Sequence, residues 1–190
     1  IAKGLDFPDV TLVGVINADS ALHFPDFRAA ERTFQLVTQV AGRTGRGEKG
    51  GRVLVQTSSP EHPAIHFALT HDFEAFANAA LPERKEYFYP PYTSMIRIIM
   101  RGPEEGPTEE FAKQLGAQLA GYLENAGEEV RVLGPAAAPL ARLRGYYRFH
   151  LLLLSKDAEL IRDAVRKLQK DFVAPDKMEW TVDVDPLDML

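Results

Sequence analysis

The sequence predicts an α/β protein made of a short strand–helix–strand unit followed by a βαββαβ unit. Two observations predict this fold. Residues 10–15 and 52–57 are short, apolar, β-branched runs that flank a long helix pattern, as do buried parallel strands joined by a helix. After residue 93, the patterns follow the order strand, helix, strand, strand, helix, strand. We expect the first unit to be only part of a larger sheet, because two strands alone would expose edges and apolar faces.

The helix pattern between the first two strands, residues 27–47, carries a row of polar side chains. At 100° per residue, one narrow sector contains Arg28, Arg32, Gln35, Gln39, Arg43 and Arg46. The opposite, core-facing side contains Ala30, Phe34, Val37 and Ala41. Only Glu31 lies near the basic row to neutralise it. A guanidinium group can donate two hydrogen bonds to phosphate oxygens at once, so this row is a candidate phosphate-binding site.

Helix geometry alone would favour a solvated charged face over a binding site. The spacing Gly42-Arg43-Thr-Gly45-Arg46 changes that preference, because the two glycines allow a ligand or another backbone to come close to the arginines. We therefore interpret the row as functional.

The chain divides into three predicted segments: residues 1–60, a helical bridge at 61–92, and a C-terminal domain at 93–190. The aromatic and proline-rich run at 87–92 would end the bridge as an extended linker.

Two helices are predicted in the bridge, at residues 62–70 and 72–87. Ser59-Pro60-Glu61 resembles a helix start, because a hydroxyl can cap the helix and proline suits its first turn. Pro82 is expected to interrupt or kink the second helix.

The C-terminal segment is predicted to form the split-βαβ, ferredoxin-like arrangement. Strands are expected at residues 94–101, 129–133, 148–154 and 178–184. Helices are expected at 108–125 and 157–172, each with apolar residues every three to four positions. Thr108 would cap the first of these helices, and Glu109 and Glu110 would face the positive end of its dipole.

The composition of the 190 residues is that of a globular protein, with 45% hydrophobic residues and no run long enough to cross a membrane. The absence of cysteine excludes a disulfide scaffold and a thiolate zinc site, and it fits a reducing cytoplasmic location. The net charge of −5 would argue against a nucleic-acid partner, but it is an average over an uneven distribution of charges. Acidic residues concentrate at 104–129, whereas residues 140–150 contain three arginines and no carboxylate.

That carboxylate-free stretch is a candidate DNA-binding segment. It interleaves basic and aromatic side chains: Arg142, Arg144, Tyr146, Tyr147, Arg148 and Phe149. Guanidinium groups can neutralise phosphates while aromatic rings stack on unpaired bases, which suits single-stranded or forked DNA. Alternatively, strand alternation would turn the rings at 147 and 149 into the core and leave the arginines merely solvated.

No metal site is predicted. His62 and His66 have a spacing that can hold zinc on a helix, but no third ligand is evident, so a capping or surface role is expected. Asp183 and Asp185 fit the wet face of a strand better than a cation site that would include Asp188.

Several segments resemble a known family. Residues 39–47, QVAGRTGRG, resemble motif VI of superfamily 2 DNA helicases, and residues 1–13, IAKGLDFPDVTLV, resemble their motif V. Later segments narrow the resemblance to the PriA family of primosomal replication-restart helicases: PEHP at 60–63, YPPY at 89–92, LGPA at 133–136, YRFH at 147–150 and DVDPL at 183–187. The resemblance covers essentially the whole chain.

The resemblance implies that residues 1–60 are the C-terminal half of the second RecA-like helicase lobe. Matched to motif VI, Arg46 would be an arginine finger and Arg43 a second contact to the γ-phosphate, stabilising the charge of phosphoryl transfer. Gln39 would couple nucleotide to DNA, and Gly42 would lie against the nucleotide.

In the segment that resembles motif V, Gly4 suits close approach of a phosphate, and Lys3 would touch the DNA backbone. Asp6 would bind a ribose hydroxyl or the finger arginine, or it would simply cap a local helix. Because motif V normally lies inside a lobe, Ile1 is interpreted as a cut. ATP and Mg²⁺ would then bind in the whole protein, and a zinc module would lie upstream.

The implied function is that of an ATP-dependent 3′–5′ DNA helicase that recognises stalled forks and restarts replication through primosome assembly. Its partners would be forked and single-stranded DNA, single-stranded DNA-binding protein and other primosome proteins. The chain lacks the phosphate-binding G-x-x-x-x-G-K-[ST] loop, so it should be inactive alone. Two alternatives stay open: another superfamily 2 repair or fork-reversal helicase, or a non-enzymatic DNA- or protein-docking module.

Overall fold

The computed structural model describes residues 10–42 and 51–189, and the side chain of Glu128 is not described. The chain divides into two compact units, Ile1–Glu83 and Arg84–Leu190. Five of the predicted site residues lie outside the described residues: Lys3, Gly4, Asp6, Arg43 and Arg46.

The first unit contains a two-stranded parallel sheet with helices after each strand. Strand β1 (Leu12–Val15) pairs with β2 (Arg52–Val55), from Leu12↔Arg52 to Val15↔Val55. The helices are α1 (Asp19–Leu22), α2 (Ala29–Ala41), α3 (Pro63–Leu69) and α4 (Phe73–Glu86). The strand–helix–strand order agrees with the prediction.

The helices at 63–86 contribute to the core of the first unit. Phe34 of α2 stacks on Phe76 of α4, with ring centroids 4.6 Å apart. Ala18, which precedes α1, and apolar residues of α1 to α3 complete the cluster: Leu22, Val37, Ala64, Ile65 and Ala68. The predicted bridge therefore packs its helices into this core. Leu12 and Leu54, in contrast, are 58% and 62% exposed, so the sheet presents an apolar face to solvent.

The second unit is built on a four-stranded antiparallel sheet with the order β4-β5-β3-β6. Its strands are β3 (Ser94–Gly102), β4 (Val130–Leu143), β5 (Tyr146–Ser155) and β6 (Glu179–Val184). Its helices are α5 (Glu105–Tyr122) and α6 (Ala158–Asp171), and a 3₁₀ segment, Glu124–Glu129, follows α5. The predicted βαββαβ order is confirmed.

One face of this sheet packs on α5 and α6. The shared core contains Ile96, Ile98, Met100, Phe111, Leu115, Leu119, Leu151, Leu153, Ile161 and Leu168. On the other face, the C-terminal segment covers part of β3. The backbone N–H of Asp185 donates to the carbonyl of Met95 at 2.8 Å, and Nη1 of Arg97 donates to the carbonyl of Asp188 at 3.2 Å. This contact explains why Arg97 is almost fully buried in a sheet face.

Several predicted helix ends are wrong. Thr108 does not cap α5; it lies buried inside the helix, where its hydroxyl donates to the carbonyl of Glu104. Ser59 is not the N-cap of α3 either. The N-cap is His62, whose Nδ1 accepts a hydrogen bond from the N–H of Ala64 at 3.1 Å. Pro82 lies within α4 without ending it.

The helix of the basic row is shorter than predicted. It ends at Ala41, and Gly42 is its C-cap, donating its N–H to the carbonyl of Thr38 at 3.1 Å. Arg43 and Arg46, which the prediction places on the same helix, lie outside the described residues.

Strand β4 is much longer than the five residues predicted. It pairs with β5 as a hairpin, with register shifts between Leu133 and Ala136 and between Ala137 and Arg142. The prolines and alanines of this stretch gave no strand pattern in the sequence, because the irregular segments break the alternation of side chains.

A glycine in β4 gives a test of this hairpin. Gly134 has φ +99°, and a Cβ there would lie 2.8 Å from the carbonyl oxygen of His150. We expect Gly134→Ala to lower the free energy of unfolding by about 2 kcal/mol or more. Gly121→Ala in α5 is the control, because its Cβ would meet nothing within 4 Å and alanine favours a helix. Urea unfolding followed by Trp180 fluorescence measures both. Equal stability of the two variants would contradict the strained conformation.

Candidate nucleic-acid interface

The β4–β5 hairpin ends in a cluster of exposed basic and aromatic side chains. Its two-residue loop is Arg144-Gly145, and both residues have positive φ, 51° and 88°, as a tight hairpin turn that matches strand twist requires. Because β3 ends at Gly102, opposite Tyr147, the hairpin continues beyond its neighbouring strand. The local sequence therefore places the guanidinium of Arg144 in solvent at the end of the sheet.

An arginine stacks on a tyrosine on each face of the hairpin end. The guanidinium carbon of Arg142 lies 5.1 Å from the ring centroid of Tyr147, on the helix-packed side. On the other side, the guanidinium carbon of Arg101 lies 5.6 Å from the ring of Tyr146. Cation–π contacts of this kind hold long side chains in defined positions at the surface.

The charges of these arginines are not equally available. Nε of Arg101 donates to Oε2 of Glu179 at 3.0 Å, so this guanidinium is already neutralised across β3 and β6. Arg142 and Arg144 are exposed, and neither forms an ion pair with a carboxylate of the described residues. We name the exposed residues Arg142, Arg144 and Tyr146, together with the half-buried Tyr147, the hairpin tip.

Arg148 does not belong to the hairpin tip, contrary to the sequence interpretation. It is 8% exposed, and its Nη1 donates to the carbonyl of Leu140 at 3.3 Å. Leu140 lies in the irregular part of β4, between Ala137 and Arg142. The buried guanidinium thus holds the bulged strand against β5, which is a structural role.

Arg148 also shapes the electrostatics of the sheet face opposite the helices. Burial of the ring and the positive charges of Arg97 and Arg148 lower the pKa of His150 from 6.5 to about 4. All three side chains point to the same face, because Arg97 pairs with Leu152 and residues 148, 150 and 152 alternate with the core residues of β5. His150 is therefore neutral at physiological pH.

In the first unit, the start of the basic row is neutralised. Nη1 of Arg32 lies 2.9 Å from Oδ2 of Asp26, whose carboxylate is fully buried, and Arg28 lies 3.9 Å from Glu31. Asp26 therefore neutralises the row in addition to Glu31, which is the only acidic neighbour that the sequence predicted. Gln39 is exposed on α2, and Gly42 is exposed at its end.

Asp19 ties the carboxyl ends of the two parallel strands together. Its Oδ1 accepts from the hydroxyl of Thr57 at 2.6 Å, and its Oδ2 accepts from the N–H and hydroxyl of Ser58 at 2.8 and 2.9 Å. The Thr57 hydroxyl and then the Ser58 N–H lower the pKa of Asp19 by stabilising its charged form. The turn at 17–19, which follows β1, is thus occupied by a structural hydrogen-bond network.

Sequence reasoning missed two residues that organise these sites. Asp26 precedes α2, and its Oδ1 accepts a hydrogen bond from the N–H of Arg28 at 2.9 Å. An acidic residue just before a helix pattern is a signal that could have identified it. Arg101 was visible only as the polar end of a predicted strand, since its contact with Tyr146 depends on the sheet register.

Neither a metal-binding cluster nor a membrane-spanning helix is present among the described residues. Within 10–42 and 51–189, no three histidine, aspartate or glutamate side chains are grouped to hold a metal ion. No helix in the same ranges has the length and apolar character needed to cross a membrane.

The pKa of His150 predicts how acid affects the second unit. Between pH 6.5 and pH 4 the unfolded chain binds a proton that the folded chain excludes, so the free energy of unfolding should fall as pH falls through this range. We expect His150→Gln to reduce that fall by about 1–2 kcal/mol, since solvent reaches part of the ring. Melting followed by Trp180 fluorescence from pH 4 to 7 measures it, with the exposed His71→Gln as control. An identical pH dependence in both variants would contradict the assignment.

Comparison with known proteins identifies the chain's relatives. The family described as "Primosomal protein N C-terminal domain" matches residues 85–187, which is nearly all of the second unit. Relatives named "Replication restart protein PriA" are 38% identical in Bacillus subtilis and Treponema pallidum and 36% identical in Haemophilus influenzae, each covering 100% of this chain. The chain covers 24%, 28% and 26% of those relatives, so it spans about a quarter of their length. The resemblance recognised in the motifs is confirmed, and the chain belongs to the family of the primosomal protein N C-terminal domain.

Proposed function

We propose that this chain is part of an ATP-dependent DNA helicase that restarts replication at stalled forks, and that its hairpin tip contacts the DNA. The observation that carries the DNA contact is the pair of exposed guanidinium groups, Arg142 and Arg144, beside the exposed Tyr146 and the half-buried Tyr147. Basic groups neutralise phosphates and aromatic rings stack on unpaired bases, so this composition suits single-stranded or forked DNA.

The family match favours a PriA-type protein over other superfamily 2 helicases. Those helicases share the motif V and motif VI patterns, but they are not expected to carry the unit that begins near residue 92. The family match covers that unit. The identity to replication restart proteins also extends through the first unit, which favours a motor protein over an isolated docking module.

The nucleotide-binding part of the proposal rests on residues at and beyond the end of α2 and on two residues near the start of the sequence. Arg46 would be the arginine finger and Arg43 a second γ-phosphate contact, with Gln39, Gly42, Gly4 and Asp6 near the nucleotide. Because Arg28 and Arg32 are already paired with carboxylates, the cations available for a triphosphate would have to come from the GRTGR segment. ATP and Mg²⁺ would bind only in the whole protein, since the chain lacks a phosphate-binding loop.

The remaining parts of the proposal come from the family. The whole protein would carry a zinc module upstream, would act in the cytoplasm, and would contact single-stranded DNA-binding protein and other primosome proteins. Lys3 would touch the DNA backbone from the first unit.

The hairpin tip gives the first test of this proposal. We expect Arg142→Gln/Arg144→Gln to weaken binding of single-stranded and forked oligonucleotides by roughly tenfold and to reduce the salt slope by roughly 1.4, because two phosphate contacts are lost. Fluorescence anisotropy of the 190-residue chain at several salt concentrations measures both quantities.

The matched control is Arg166→Gln/Lys170→Gln, which removes the same charge from the exposed side of α6. An equal loss of affinity in both double variants would show a non-specific charge effect. Unchanged affinity in the tip variant would refute the DNA contact.

The arginine finger gives the second test. In the intact protein, Arg46→Ala should lower DNA-stimulated ATP hydrolysis by about 10³-fold or more and leave DNA affinity nearly normal, because the finger acts on the transition state. Glu74→Ala, an exposed change on α4 outside the basic row, is the control. Unchanged single-turnover hydrolysis in Arg46→Ala would remove the finger assignment.

A further inference from the structure

Arg101 places a further exposed guanidinium beside the hairpin tip. Its side chain points to the face of the sheet opposite the helices, because its neighbour Met100 lies in the helix-packed core and side chains alternate along β3. On that face its guanidinium carbon lies 5.6 Å from the ring centroid of Tyr146. Arg101 therefore lies at the same end of the sheet as Arg142 and Arg144.

The three arginines surround the end of the hairpin. Arg142 lies on the helix-packed side, Arg144 lies in the loop, and Arg101 lies on the opposite face. On each face the guanidinium contacts a tyrosine ring. A nucleic acid that contacts the loop can therefore reach a cation on either face.

Glu179 is the present partner of the Arg101 guanidinium. The two residues are direct neighbours across β3 and β6. Nε and Nη2 of Arg101 both donate to the same carboxylate oxygen, Oε2, at 3.0 and 2.5 Å. The strongest pairs of arginine with a carboxylate or phosphate use two acceptor oxygens in parallel, and this pair does not. A phosphate group can offer the guanidinium that two-oxygen arrangement.

The Arg101–Glu179 pair is open to exchange with an outside anion. The two side chains are 49% and 56% exposed. Exposed ion pairs contribute little stability, because water screens both partners. Arg32 differs, since the carboxylate of its partner Asp26 is fully buried. A phosphate can therefore replace Glu179 at low cost, whereas at Arg32 it would have to break a desolvated pair.

Tyr146 holds the Arg101 guanidinium independently of Glu179. The cation–π contact fixes the position of the guanidinium over the ring, whichever anion it binds. An incoming phosphate therefore does not have to order a long, flexible side chain. This preorganisation removes part of the entropy cost of binding.

We propose that Arg101 is a third phosphate-binding residue at this end of the sheet, and that Glu179 competes with nucleic-acid phosphate for it. Glu179 occupies the place of a phosphate and thereby lowers the affinity of the hairpin tip for nucleic acid. This inference rests on the proposed DNA contact of the hairpin tip and adds the pair of residues that sets its strength.

Removal of the Glu179 charge tests the competition. We expect Glu179→Gln to strengthen binding of single-stranded oligothymidylate about fivefold, because the competing ion pair is lost. The salt slope should steepen by roughly 0.7, the value for one added phosphate contact. Fluorescence anisotropy of the 190-residue chain measures both. Glu124→Gln is the control, because it removes the same charge from the exposed 3₁₀ segment that leads into the opposite end of β4.

Two double variants of equal net charge separate local competition from a general charge effect. Arg101→Gln/Glu179→Gln should lose the gain in affinity and the steeper salt slope, because the cation itself is missing. Arg166→Gln/Glu179→Gln should keep both, because Arg166 lies on the exposed side of α6, away from the face that carries Arg101. Equal affinity of the two double variants would overturn the role of Arg101. Thermal melting of each variant checks that it is folded.

A measurement on the unaltered chain follows the exchange directly. The NMR signal of the Nε–H group of Arg101, identified by its absence in Arg101→Gln, reports the hydrogen bond to Glu179. Saturating oligothymidylate should shift this signal, because the acceptor changes from a carboxylate to a phosphate. An unshifted signal at saturation would overturn the exchange.

The outcomes separate this inference from the proposed DNA contact. If Glu179→Gln binds like Glu124→Gln while Arg142→Gln/Arg144→Gln is weakened, the competition is wrong and the contact of the hairpin tip stands. If the hairpin-tip variant is not weakened, the DNA contact fails and the role of Arg101 fails with it.

Discussion

The pairing of β3 with β5 is the interaction on which the second unit depends. Nine consecutive pairs, from Ser94↔Ser155 to Gly102↔Tyr147, fix the register of the two central strands. Because neighbouring side chains alternate between faces, this register sends Ile98 and Leu151 to the helices and sends Arg97 and His150 to the opposite face. A slip by one residue would move charged groups into the core, so the hydrophobic pattern specifies the register strongly.

The same register decides which arginines can meet a ligand. Arg148 lies within the β3–β5 ladder and is buried. Arg142, in contrast, is exposed level with Gly102, the last residue of β3, and Arg144 is exposed in the loop beyond it. Three arginines that are close together in sequence therefore have two different roles. The buried one stabilises the irregular strand β4, and the exposed pair supplies the charge that we propose for DNA contact.

In the first unit, carboxylates rather than arginines organise the described residues. Asp19 joins the ends of β1 and β2, and Asp26 holds Arg32 and the start of α2. A guanidinium already paired with a buried carboxylate offers little to a phosphate, since the ligand would have to replace a desolvated ion pair. Because Arg32 is paired with Asp26, the arginines proposed to contact nucleotide are those that follow α2 in the sequence.

The sequence by itself determined the α/β class, the βαββαβ order and the family, because the apolar periodicity and the ordered motifs are local properties of the chain. It could not give the length of β4, whose prolines and bulges break the alternation, or the cap of α3 by His62. Within the candidate site, the sequence shows which residue types are present but not which side chains are exposed. Only the tertiary structure decided that Arg148 is buried and that Arg32 is paired with Asp26, because these contacts depend on sheet register and packing rather than on sequence spacing.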